Sequence, residues 1–148
     1  MFKQLLHALF FLHQKGVSHG DLRPEHIMID DECTVKIVDY GLSKHDDNVT
    51  DPEMLHEITC SPHTLSPEFC SLEPCYKKSE LADLFALGVI LFMMRVGHRP
   101  FALAHQNEPF YKLLTVGRTD LFWKSHSNIK GGNSFGKEFQ DLITLMLL

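Results

Sequence analysis

Two carboxylates, Asp21 and Asp39, lie close together in sequence with a cation, Arg23, a further acid, Glu25, and two imidazoles, His19 and His26, around them. Transfer of a phosphoryl group asks little covalent chemistry of a protein. It needs a carboxylate to take the proton of the attacking hydroxyl, ligands for a metal on the phosphates, and cations against the developing charge. The inventory between His19 and Gly41 holds one of each kind. Short motifs match by chance, so order and context must carry the assignment.

The elements around these residues are legible. Phe2, Leu5, Leu6, Leu9 and Leu12 recur at i, i+3, i+4 spacing and predict an amphipathic helix over 2–15, ended by Gly16. Ile27-Met28-Ile29 and Val35-Lys36-Ile37-Val38 read as short strands, with Asp30-Asp31-Glu32 as the turn between them. Residues 42–56 turn polar and acidic without a period, as a loop does. Ser79 is a good N-cap for a helix whose first turn holds Glu80 and Asp83. From Leu81 to Val96 that helix is apolar on every side, which predicts burial all round. Asn107-Glu108-Pro109 opens another helix, Lys130 to Ser134 is a glycine-rich loop, and Phe139 to Met146 forms a last amphipathic helix.

In this order the residues resemble protein kinases. His19-Gly20-Asp21-Leu22-Arg23-Pro24-Glu25-His26 is similar to the catalytic loop H-R-D-L-x-x-x-N, and Asp39-Tyr40-Gly41 to D-F-G. Cys60-Ser61-Pro62-His63-Thr64-Leu65-Ser66-Pro67-Glu68 is similar to the G-T-P-x-Y-x-A-P-E segment, and is otherwise a proline-rich loop. Asp83, Phe85, Leu87, Gly88 and Val89 stand in register with the family's D-x-W-S-L-G-V helix. Residues 107–124 look like the docking-helix region of calcium/calmodulin-dependent-like kinases. The resemblance covers almost the whole chain and implies a mainly α (α+β) fold: a kinase C-terminal lobe, helical, with a small β hairpin near the catalytic loop. It implies a partial kinase domain over 1–148, with an activation segment near 39–68 and a central buried helix near 80–96.

The resemblance also implies roles. Asp21 would be the catalytic base and Arg23, standing where Ser/Thr kinases carry a lysine, would steady the transferred phosphate. Glu25, His26, Met28 and Asp39 would face ATP, with Asp39 and His26 on Mg²⁺. Met28 reads equally as an apolar floor under adenine or as ordinary core. Asp83 would hydrogen-bond the backbone of the catalytic loop, or else be a surface acid at a helix N-terminus. Glu68 would be the acid that pairs with a buried arginine, and a chain that supplies none would be strained there.

Departures from the family bear on activity. His26 replaces the metal-binding asparagine; Mg²⁺ prefers oxygen, whereas Mn²⁺ tolerates nitrogen, so Mn²⁺-selective binding that fades below neutral pH is expected unless His26 merely fills space. Gly20 replaces the arginine that pairs with a phosphorylated activation loop, so phosphate on Thr50 or Thr59 should stimulate little. Tyr40 for phenylalanine is mild. The sequence contains no glycine-rich G-x-G-x-x-G loop and no V-A-I-K lysine, so the chain alone is expected to be inactive, as part of a longer kinase. A Ser/Thr kinase acting on protein substrates is the first expectation, and a pseudokinase or protein-docking module the second.

Composition limits the rest. A net charge of −5 over 148 residues, with interspersed cations, gives no basic face for nucleic acid. Four cysteines without a CxxC pair suit reduced thiols in a cytosolic or nuclear compartment. The ten histidines show no metal-ligand spacing. The N-terminal apolar run is broken by His7 and lacks a cleavage site, and Leu84 to Met94 falls short of a bilayer, so no membrane association is expected. Oligomeric state is not encoded in any of these features.

Overall fold

The computed structural model describes residues 1–45, 63–70, 79–127 and 135–148. Among these, six helices and two small antiparallel ladders make a mainly α fold. Helix α1 (Phe2–His13) leads into strand β1 (Val17–Ser18) and a single 3-10 turn over Pro24–His26. Strands β2 (Ile27–Ile29) and β3 (Val35–Ile37) form a hairpin with Ile27 opposite Ile37, and β4 (Lys44–His45) returns to pair with β1. The helices that follow are α2 (Pro67–Cys70), α3 (Ser79–Val96), α4 (Pro109–Thr115), α5 (Thr119–Ser127) and α6 (Lys137–Met146).

Helix α3 is the axis of the molecule. One side, through Phe85, Val89, Phe92 and Val96, meets Tyr111, Leu114, Phe122, Trp123 and Ile143. The other side, through Ala86, Leu87 and Ile90, meets Leu5 and Leu9 of α1 and Leu22 of the loop that follows it. An apolar helix must bury its whole circumference, and two cores on opposite faces do so. Among its described side chains the exposed ones are Leu81 near its start and Met94 and Arg95 near its end. Pro109 at the first turn of α4 lacks a donor that the helix could not have used, and Glu108 caps it by accepting from the Tyr111 amide at 2.6 Å.

Several boundaries and burials differ from expectation. Helix α1 ends at His13 rather than residue 15: the Gln14 amide makes a last helical bond to Phe10, and those of Lys15 and Gly16 make tighter turn bonds to Leu12 and His13. Met28 is not core: it stands 59% exposed on β2 beside exposed Ile29. Glu68 is only half-buried on α2, so the penalty expected of a fully buried acid is reduced. The Ser79 cap falls on a side chain outside the described ones. Thr50, Thr59, Ser61, Cys60, Cys75 and the Lys130–Ser134 loop also lie outside the described residues. Cys33 and Cys70 are free thiols.

Candidate active site

Asp83 organises the site from below. It sits in the first turns of α3 at 1% exposure, and a buried carboxylate must be satisfied. Its Oδ2 accepts from the His19 amide at 2.8 Å and its Oδ1 from the Gly20 amide at 2.9 Å. His13 adds a third contact, Nε2 to Oδ2 at 2.9 Å. The loop bearing Asp21 is thereby tied to the central helix and to the end of α1. Asp83 therefore bonds the loop's backbone, and the surface-acid alternative does not apply.

His19 joins the two halves of the site. The Asp21 amide donates to His19 Nδ1 at 3.3 Å, so Nε2 carries the ring proton and donates to the Val38 carbonyl at 3.1 Å. Position 38 precedes Asp39, so one buried imidazole spans from the Asp21 loop to the Asp39 segment. The Tyr40 ring packs against it at 5.0 Å between centroids. Gln4 pins the hairpin from α1, donating to the Cys33 carbonyl at 3.3 Å and accepting from the Val35 amide at 2.7 Å.

The predicted site residues divide into two groups. Asp21, Arg23, His26 and Asp39 come together. His26 is buried; its Nδ1 lies 2.8 Å from the Asp21 carbonyl and 3.5 Å from Asp21 Oδ2, and its Nε2 lies 3.4 Å from Asp39 Oδ2. Arg23 Nε donates to His26 Nε2 at 3.0 Å and lies 3.4 Å from Asp21 Oδ2. Glu25, on the 3-10 turn, and Met28, on β2, stay exposed at the margin.

Burial raises the Asp21 carboxyl above its ordinary range, with Arg23, then His26 and His19, pulling the other way and Asp39 adding to the rise. A base with raised affinity for a proton is better matched to accepting one. Asp39 holds a left-handed backbone, φ +66°, which aspartate tolerates better than most residues and which clusters at functional sites. Beside Asp21 is a recess of about 20 Å³ lined by Gly20, Leu22, Thr64, Ser66 and Asp83. It has room for one water or one hydroxyl oxygen. Ser66 Oγ is buried there without a hydrogen-bond partner among the described residues.

The residues fit one divalent cation partly. Asp39 offers an exposed carboxylate of the hard-oxygen kind that Mg²⁺ selects. Residue 26 offers a nitrogen whose lone pair already receives Arg23. Among the described residues no group of three or more His, Cys, Asp or Glu is placed to hold a metal ion.

Sequence reasoning missed His13 and Gln4. A histidine closing an apolar helix and a polar residue in its first turn carry no local signal; their partners lie 70 and 31 residues away.

Comparison with known proteins identifies the family. The family model described as "Protein kinase domain" matches residues 1–148. The chain is 33% identical over 128 residues to "CBL-interacting protein kinase 17" of Oryza sativa subsp. japonica, covering 86% of this chain and 28% of that protein. It is 37% identical over 124 residues to "CBL-interacting protein kinase 32" of the same organism, covering 84% and 28%. With "CBL-interacting serine/threonine-protein kinase 15" of Arabidopsis thaliana it shares 36% over 112 residues, covering 76% and 26%. The chain thus spans about a quarter of the length of these relatives. With the kinase-domain match running from end to end, the chain belongs to the protein kinase family.

Proposed function

We propose that the chain is the larger, C-terminal lobe of a serine/threonine protein kinase that transfers the γ-phosphoryl group of ATP to hydroxyls of protein substrates, and that it works as part of a longer kinase. The observation that carries this is the single imidazole, His26, standing within 3.5 Å of both Asp21 and Asp39 carboxylates. A lobe that only docked other proteins would have no need to hold two carboxylates at one point.

In this mechanism Asp21 orients the substrate hydroxyl and accepts its proton, beside a recess sized for that oxygen. Arg23 lies against Asp21 and supplies positive charge near the transferred phosphate. Asp39 would hold Mg²⁺, which when bound neutralises charge on the phosphates. Met28 presents bare apolar surface on β2, suited to an adenine ring, and Glu25 flanks it. Among the described residues no helix is long and apolar enough to cross a membrane, and we place the protein in the cytosol or nucleus.

The test is a thermal-shift comparison of wild type and Asp39→Asn with ATP and Mg²⁺. A rise in wild-type Tm that the substitution removes is the expected result. No shift in either protein would favour a second reading, a pseudokinase that docks proteins, which the His26–Arg23 contact independently suggests because it occupies a metal-ligand position.

A further inference from the structure

Both ring nitrogens of His26 are committed. Nδ1 faces the Asp21 carbonyl at 2.8 Å, and a carbonyl only accepts, so Nδ1 carries the proton. The Arg23 Nε–H donates to Nε2 at 3.0 Å, so Nε2 presents its lone pair there, with Asp39 Oδ2 3.4 Å away. The direction is fixed, because a guanidinium has five donors and no acceptor. The ring is 6% exposed, so water competes poorly for either nitrogen. The same guanidinium nitrogen lies 3.4 Å from Asp21 Oδ2, which gives it an anion as well as an acceptor.

A cation shared by Asp39 and residue 26 would need the lone pair that Arg23 uses. One lone pair cannot serve an N–H donor and a metal together, so ligation by His26 requires Arg23 to give up its hydrogen bond to Nε2. Mg²⁺ sheds water reluctantly and prefers oxygen, and so has little with which to offset that loss. Arginine stays charged throughout and its planar fork is preorganised, so the contact persists.

We propose that His26 is a positioning residue for Arg23 and not a metal ligand. The imidazole fixes a guanidinium against Asp21, where it acts as an internal cation, and leaves Asp39 as the metal-binding carboxylate. The functional meaning rests on the phosphoryl-transfer reading, while the hydrogen-bond geometry stands apart from it.

The experiment is NMR on the full chain labelled with ¹⁵N arginine and histidine. The expected result is a resolved ¹⁵N–¹⁵N coupling across the hydrogen bond between Arg23 Nε and His26 Nε2, with His26 in its Nδ1–H form. Titration with Zn²⁺, which shifts an imidazole nitrogen on ligation, should leave the His26 Nε2 signal in place in the wild-type chain. Arg23→Ala should lose the coupling. Absence of the coupling in wild type would overturn the proposal, and so would a Zn²⁺-induced shift of Nε2 with Arg23 present, which would make His26 a metal ligand. Neither measurement needs nucleotide. A chain that fails the ATP thermal-shift test yet shows the coupling would lose the kinase activity assignment and keep this one.

Discussion

Gly20 sits at φ +82°, and a Cβ added there would lie 2.6 Å from the Leu42 carbonyl oxygen. That distance cannot be relieved by a side-chain rotation, because the obstacle is backbone. From the sequence, position 20 reads as a lost arginine, and restoring it looks like a route to control by phosphorylation. The backbone argues otherwise. Gly20→Arg should destabilise the fold by roughly 1–3 kcal/mol, the range for a strained left-handed residue plus an overpacked contact. Gly20→Ala should share most of that loss, since the strain belongs to the Cβ and not to the guanidinium. Chemical denaturation of the three proteins measures this directly. An arginine variant as stable as wild type would show that the loop yields and that the motif alone decides what stands there.

At the level of elements, helix α3 was the most legible feature and also shows where legibility stops. Its all-round apolar character is a local pattern and predicts the buried axis, whereas the Asp83 contacts were implied by the family resemblance, the local pattern alone leaving a surface acid open. What it packs against is not local. Gly88 faces α6 so closely that an added Cβ would lie 2.7 Å from Met146 Cβ and 3.3 Å from Leu147 Cδ2. Alanine is favoured over glycine inside a helix by about 1 kcal/mol, so propensity alone predicts that Gly88→Ala stabilises. Overpacking a rigid helix crossing costs about 1–3 kcal/mol, and here the contact is Cβ to Cβ, with little freedom to yield. The clash should win. We expect a lower Tm for Gly88→Ala and recovery on adding Met146→Gly, which removes the opposing Cβ; a variant stabler than wild type would mean α6 simply moves outward. The same limit explains Met28. Its β-branched neighbours mark a strand correctly, but which strand face is covered depends on what packs over the hairpin, and position 28 proves bare. The candidate site was legible through the resemblance to kinase motifs at Asp21, Arg23, His26 and Asp39, which the structure brings together. It was not legible in which nitrogen of His26 holds the proton, since that depends on a carbonyl and a guanidinium converging in space.

Across the whole molecule, the two cores on either side of α3 differ in chemistry. The core toward α1 is aliphatic, whereas the one toward α5 encloses an imidazole, His126, at 3% exposure. Its ring lies 4.6 Å from that of Phe122 and 4.9 Å from Phe92, and it stacks on His98 at 5.1 Å. Burial, and then the neighbouring His98, push its pKa down from 6.5 to about 4. The sign follows from proton linkage. Between these two values the unfolded chain takes up a proton at this residue and the folded chain does not, so stability falls as pH falls. Above about 6.5 the residue contributes no pH dependence, and below about 4 both states are protonated and the loss stops growing. The slope contributed in that window approaches ~1.4 kcal/mol per pH unit. That is a large share of the 5–15 kcal/mol by which domains are typically stable. Urea unfolding at a series of pH values should therefore show a falling midpoint below about pH 6.5, and His126→Leu, close in volume and without a charge to gain, should flatten that part of the curve. An unchanged slope in the variant would assign the acid sensitivity to other groups.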